Sequence, residues 1–289
     1  MNAKPKALVV LSGGQDSTTC LALTVRQYGA ENVHAVTFDY GQRHIRELNA
    51  ARWVAALCGV KDRHEIVVVG DILAGTSPLT DKEATLEQYT DFESMDKIIG
   101  DRVEKTFVPM RNALFLTLAA NRAAVLGANI IVTGVCQADN ANYPDCRADF
   151  IDLQRRTINE ALGYTNSNSD SYIWIDTPLM DLSKKDSIEV LASLGLPAFA
   201  LLAFSHTAYD GQYPPIGNDH ATILRAHGFE EALLPDPLVV RAALEGLLKS
   251  YPKTFNYSVD GAGIADWGEL ISAINTHKST LKAFGYDVE

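Results

Sequence analysis

The stretch Ala7-Leu8-Val9-Val10-Leu11 runs without a break into Ser12-Gly13-Gly14-Gln15-Asp16-Ser17 and then into Thr18-Thr19-Cys20-Leu21-Ala22-Leu23. An apolar run of strand length leads into a glycine turn and out into a helical pattern. Two adjacent glycines let the backbone turn sharply and approach an anion. The first N–H groups of the following helix have no intrahelical partner, so together with the Ser12 and Ser17 hydroxyls they form a cradle for pyrophosphate. Asp16 would repel phosphate if it pointed inward; its expected task is holding the loop or a Mg²⁺ ion that bridges the phosphates. A Walker loop has a lysine before its Ser or Thr, and none stands here, which argues against a kinase-like or GTPase-like loop.

Working outward, a second strand is expected over Val33–Phe38, a helix over Arg43–Cys58 and a third strand over His64–Val69. Further helices are expected over Gln15–Tyr28, Arg111–Leu126 and Ala148–Leu162, with strands over Asn129–Thr133 and Tyr172–Asp176. Strands alternating with helices of this length imply a doubly wound parallel sheet, an α/β fold with its ligands at the carboxyl ends of the strands. Ser183 is expected to cap a helix, with Asp186 three residues on completing a capping-box-like start. The acidic, poorly periodic segment 71–105 reads either as a flap over the site or as a disordered surface insert. Residues 1–200 form the expected main domain. Residues 201–289, punctuated by Pro and Gly, form a smaller, mostly helical subdomain with helices near Leu238–Ser250 and Trp267–Phe284.

The chain has 289 residues, 47% of them apolar, enough for a substantial core. Twenty-five Lys and Arg against 36 Asp and Glu leave a net charge of −11 with no basic run, so nucleic acid is not the expected substrate. No signal-like or membrane-length apolar segment occurs, and a soluble cytoplasmic protein with no membrane partner is expected. The cysteines at 20, 58, 136 and 146 are too few and too scattered for a disulfide framework.

Four more segments fall at expected strand ends: Phe38-Asp39-Tyr40-Gly41-Gln42-Arg43-His44, Thr106-Phe107-Val108-Pro109-Met110-Arg111-Asn112, Thr133-Gly134-Val135-Cys136-Gln137-Ala138-Asp139 with its continuation Asn142-Tyr143-Pro144-Asp145-Cys146-Arg147, and Asp176-Thr177-Pro178-Leu179. Asp39, Gln42 and Arg43 are placed to contact nucleotide or to hold the loop. His44 reads either as a general base or as a helix cap or ion-pair partner.

These segments together with the glycine loop resemble the 7-cyano-7-deazaguanine synthase (QueC) family of the PP-loop ATP pyrophosphatases, over roughly residues 6 to 230. The resemblance implies an adenine nucleotide alpha hydrolase-like fold and an ATP-dependent ligase. Such an enzyme adenylates the carboxylate of 7-carboxy-7-deazaguanine, lets ammonia displace AMP, and dehydrates the amide to the nitrile through a second adenylation. It implies ATP and Mg²⁺ as cofactors, a small deazapurine substrate and a homodimer. Nucleotide is then expected at Leu11, Ser12, Gly13, Gly14, Gln15, Asp16, Ser17, Thr18, Phe38, Tyr40, Gln42, Arg43 and Gly134. The catalytic set is Asp16, Ser17, Arg111 and Lys184, the two cations neutralising phosphate charge or, for Lys184, binding the substrate carboxylate. The deazaguanine is expected against Phe107, Arg111, Asn112, Val135, Tyr143 and Asp145, an aromatic face for stacking and a carboxylate for its donor edge.

The family carries a four-cysteine zinc site near its C-terminus, and those positions are occupied here by Ala208, Ile216, Asp219 and Thr222. Zinc is therefore not expected. Ile216 and the run Tyr213-Pro214-Pro215 suggest apolar repacking, and a replacement site from His206, Asp219, His220 and His227 matches no compact ligand spacing. Met110 stands where the family has glycine and is expected to narrow the space beside Arg111. The departures also leave room for an acceptor amine other than ammonia, such as a protein N-terminus or lysine, a repurposing in keeping with the resemblance to QueC-like relatives in bacterial anti-phage operons. A degenerate nucleotide-binding module is disfavoured by the intact loop with Arg111 and Lys184. Thiolation of tRNA would need reactive cysteine pairs and a basic face, both missing.

Overall fold

The structure is a computed structural model that describes residues 6–43, 46–81, 83–138, 141–248 and 264–288, by backbone alone over 264–267. His44, Asp139 and Ser250 lie outside the described residues, as does the side chain of Trp267.

Five parallel strands, β1 (Ala7–Val10), β2 (Val33–Asp39), β3 (His64–Val68), β4 (Ile130–Val132) and β5 (Trp174–Asp176), lie in the order β3-β2-β1-β4-β5. The chain winds from β1 outward through β2 to β3, then returns to pair β4 on the other side of β1. The sheet thus reverses direction at β1, and the crevice beyond its carboxyl end is where such a sheet binds ligands.

The helices are α1 (Gln15–Tyr28), α2 (Arg46–Leu57), α3 (Phe92–Ile99), α4 (Arg111–Leu126), α5 (Ala148–Leu162), α6 (Lys184–Ser193), α7 (Leu196–Phe199), α8 (His220–Ala232), α9 (Pro237–Leu244) and α10 (Ile264–Ala283). Alternation along β1 assigns them to the two faces of the sheet. Ala7, Val9 and Leu11 pack with Cys20 and Leu21 of α1 and Val54 of α2, whereas Leu8 packs with Leu116 and Ala120 of α4 and Ile158 of α5. A third apolar cluster joins Ala22 and Ala56 to Leu191, Phe204, Phe229, Ile274 and Leu281, so α6 to α10 cover the outer side of α1 and α2. Ser183 caps α6 through the expected capping box with Asp186. No helix among the described residues is long and apolar enough to cross a membrane.

The described residues of segment 71–105 are folded, so the disordered-insert expectation gives way. Leu73, Leu79 and Leu86 pack with Tyr40 and Val108. Asp91 and Ser94 form a capping box for α3, and Met95 and Ile99 bury against Ile223 and Leu224 of α8. The Tyr89 N–H donates to the Asn218 carbonyl (2.9 Å).

Candidate active site

The loop after β1 is held by its own small polar groups. Gly13 has φ 87°, and a Cβ there would stand 2.5 Å from the Glu47 carbonyl oxygen and 2.6 Å from the Ala51 nitrogen, so only glycine fits between the loop and α2. The Gly13 N–H donates to Ser17 Oγ (3.2 Å), which donates to the Gly14 carbonyl (3.1 Å) and lies 3.0 Å from Ser12 Oγ. Thr18, fully buried, also donates to the Gly14 carbonyl (2.8 Å). From the far side, the His206 N–H donates to the Gly13 carbonyl (2.8 Å). At Gly134 a Cβ would come within 3.0 Å of the Asp16 backbone, which keeps the β4 loop glycine-thin against the start of α1.

This loop forms one side of a cavity of about 300 Å³ at the sheet's reversal point. Leu11, Ser12, Gly14, Gln15, Asp16 and Ser17 line it from β1; Phe38, Tyr40, Gln42 and Arg43 from the β2 side; Gly134, Val135 and Tyr143 from the β4 side. Arg111, Asn112 and Lys184 complete the set of expected residues that meet there. The Gln15 amide is buried in this wall, and neither of its polar atoms has a hydrogen-bond partner among the described residues. Buried amides are ordinarily satisfied, so the wall is built for a polar occupant.

Four expected residues stand behind the wall. Gly13 and Thr18 shape the loop from within. Phe107 packs its ring 5.3 Å from that of Tyr143. Asp145 accepts from the Asn112 N–H (3.2 Å), capping α4, and burial raises its pKa even though that N–H and Arg111 favour the anion. Gln42 and Arg43 brace as well as line: Gln42 Oε1 accepts from the Tyr40 N–H (3.0 Å), and the Arg43 guanidinium donates to the carbonyls of Ala84 (2.9 Å) and Pro78 (3.3 Å). Met110 does not narrow the cavity. Its φ of 64° turns the side chain outward, 68% exposed, which is why glycine suits this turn.

Two cations dominate the electrostatics. Lys184 Nζ donates to both oxygens of Asp16, at 2.9 and 3.1 Å, and its stem lies over Gly228 of α8, where a Cβ would meet Lys184 Cγ at 2.7 Å. Arg111 forms no ion pair among the described residues and is ringed by Tyr40, Tyr143 and Tyr209. Burial works against its charge, while the titratable groups of Tyr40, Tyr143, Tyr209 and Cys146 around it favour the cation, and its pKa is raised. Burial in turn lifts Tyr40 to about 12. Tyr143 Oη lies 2.6 Å from Thr106 Oγ1, within a buried network that includes Glu104 and Tyr89. A third cation, Arg225, lines the floor with every donor committed, two of them to Asp236 at 2.7 Å.

Sequence reasoning missed several wall residues, namely Glu47 on α2 and His206, Thr207, Tyr209, Leu224 and Arg225 from the C-terminal region. Glu47 carried only the signal of an acid in a helix's first turn, a position that suits the helix dipole anywhere.

The apolar repacking expected at the positions aligned with the zinc cysteines is partial: Ala208 is fully buried and Pro215 is buried. Ile216 is 55% exposed. Instead Asp219, 2% exposed, accepts from the Thr222 N–H (3.1 Å), the Thr222 hydroxyl (3.0 Å) and the Tyr209 N–H, so a hydrogen-bonded clasp joins the loop at 208–209 to the start of α8. Burial nonetheless raises the Asp219 pKa to about 6. Among the described residues no three His, Cys, Asp or Glu side chains gather to hold a metal. His206 bonds the Ala208 carbonyl and His227 stacks on Phe92.

The model of the family described as Queuosine biosynthesis protein QueC matches residues 6–233. The chain belongs to the QueC family. The 7-cyano-7-deazaguanine synthase of Gloeobacter violaceus is 49% identical over 234 residues, 81% of this chain and 95% of that protein. That of Chromobacterium violaceum is 45% identical over 241 residues, 83% of this chain and 95% of its own. Among solved structures, the NH3-dependent NAD synthetase of Campylobacter jejuni aligns over 100% of this chain and 90% of its own, at 14% identity and a TM-score of 0.37. Family membership and the topology agree on a PP-loop fold, and α9 and α10 lie beyond the family match.

Proposed function

We propose that the chain is an ATP-dependent carbon–nitrogen ligase that adenylates 7-carboxy-7-deazaguanine and condenses it with ammonia, giving first the 7-amide and then 7-cyano-7-deazaguanine. The observation that carries the reading is the meeting of the Gly13–Gly14 cradle, Arg111 and Lys184 in one cavity of a QueC-family chain. A carboxylate oxygen is a poor leaving group for ammonia. AMP leaves readily once the carboxylate has attacked the α-phosphorus and pyrophosphate has been expelled. Loop N–H groups, Ser12 and Ser17 hold the departing pyrophosphate, and the two cations stabilise charge that grows on the phosphates. Tyr143 and Asn112 lie on the wall that would meet the flat deazapurine.

Mg²⁺ holds few protein ligands in such sites, usually one or two carboxylates beside the phosphates. Asp16, on the cavity wall and 27% exposed in its side chain, fits that need. When bound, the ion would neutralise phosphate charge. Lys184, freed from Asp16, would move its charge to the nucleotide.

The test is incubation with ATP, Mg²⁺, 7-carboxy-7-deazaguanine and ¹⁵N-ammonia, read by mass spectrometry. AMP, pyrophosphate and a ¹⁵N-nitrile are expected. Release of ADP or orthophosphate alone overturns the reading, and AMP formation with the deazaguanine attached to a protein amine reassigns the acceptor. Light scattering tests the homodimer that the family resemblance implies.

A further inference from the structure

Two carboxylates line the cavity, and they differ in what they touch. Asp16 is held by Lys184. Glu47 projects from the first turn of α2, and its carboxylate takes no hydrogen bond and no ion pair from the described residues. It is nevertheless fixed beside the phosphate cradle, because its own carbonyl oxygen sits against Gly13 so closely that no Cβ fits between them. The carboxyl is thus half-buried, anchored to the loop, facing the cavity and hydrogen-bonded to no side chain among the described residues.

The proposed reaction gives it a task. Resting on that reading, we propose that Glu47 is the proton acceptor for the nitrogen, in amide formation and again in dehydration to the nitrile. In the first step the ammonia lone pair forms the C–N bond, the bond from the acyl carbon to the AMP oxygen breaks, and the nitrogen passes one of its three protons to Glu47. In the second, the amide oxygen attacks the α-phosphorus of another ATP and expels pyrophosphate. The C–O bond then breaks as the nitrogen loses two protons, one to Glu47 and one to water, and C≡N forms with AMP as leaving group.

The electrostatics agree with this role. Burial raises the Glu47 pKa to about 7 while Arg111 pulls the other way, so the group exchanges protons near neutrality. The charged and titratable groups that act on it are Arg111 of α4 and Tyr40 after β2, the latter protonated at any working pH.

Glu47→Gln tests the assignment by separating the half-reactions. Substrate-dependent ATP–pyrophosphate exchange reads adenylation, and ¹⁵N-amide formation reads amination. Amide formation is expected to fall about 10²-fold further than exchange. At saturating substrates and constant free ammonia, kcat of the wild type is expected to rise through about pH 7, and Glu47→Gln is expected to lose that rise. Glu47→Asp, which keeps the carboxylate, recovers part of the amination rate and the pH limb. Equal losses in exchange and amination, or a retained limb in Glu47→Gln, overturn the role of Glu47 alone. A wild-type protein that makes no AMP overturns the underlying reading instead.

Discussion

Arg111 and Lys184 each occupy the first residue of a helix at the carboxyl edge of the sheet, α4 and α6. A cation there opposes the helix dipole, so neither position is favoured by local stability. Beyond that likeness the two seats diverge. The α6 terminus is closed by its own Ser183–Asp186 capping box, and Lys184 is tied to Asp16. The α4 terminus starts from left-handed Met110 with no side-chain cap, borrows the Asp145 carboxylate from another element, and leaves Arg111 among tyrosine hydroxyls. One cation is paired with a carboxylate, and on the proposed function it would exchange partners when nucleotide and Mg²⁺ bind. The other stands ready.

The largest effect should come from breaking the stored pair on one side only. Lys184→Ala removes a cation that would stabilise charge on the phosphates, and adenylation should fall about 10³-fold in the exchange assay. Asp16→Asn should also slow the exchange and raise the Mg²⁺ concentration it requires; an unchanged Mg²⁺ dependence would remove Asp16 from the metal's ligands. Arg111→Lys keeps the charge but loses the planar fork, and should cost about 10²-fold in kcat with little change in melting temperature.

A middling effect is expected where α8 supports Lys184. Gly228→Ala raises helix propensity by up to about 1 kcal/mol, yet its Cβ runs into the lysine stem. A net loss of about 1–3 kcal/mol in denaturant unfolding, together with slower exchange, would show that α8 sets the position of the lysine.

Asp219, which caps α8, sharpens the same point through pH. Its folded pKa of about 6 exceeds its unfolded value of 3.8, so the folded state binds the extra proton and this group's contribution to stability falls as pH rises between them. Asp219→Asn should flatten that slope in urea titrations across pH 4 to 6. The smallest effect belongs to the other seat: Met110→Gly relieves the left-handed turn and should stabilise the protein by about 1 kcal/mol with turnover unchanged.

Much of this was legible in the sequence where local chemistry and tertiary role coincide. The glycine turn after Leu11, the ends of the helices at Gln15–Tyr28, Arg111–Leu126 and Ala148–Leu162, and the Ser183 capping box are written in adjacent residues. The helix α8 is not, because Thr222, Ile223, Leu224, Arg225, Ala226, Gly228 and Phe229 are all buried and no polar stripe marks an outer face. The apolar residues of α3, Phe92, Met95 and Ile99, fall at helical spacing behind Asp91, but that their partners lie on α8 is something no local pattern foretells. Glu47, Tyr209 and Arg225 reach the cavity through packing between distant segments, so their residue types alone carry no signal of a site.

The bond from the His206 N–H to the Gly13 carbonyl joins the opening turn of the chain to a segment made long after it. A nascent polypeptide halted on the ribosome before that segment emerges would own the phosphate-gripping sequence without its latch. On the proposed function, such unfinished copies should therefore bind ATP poorly.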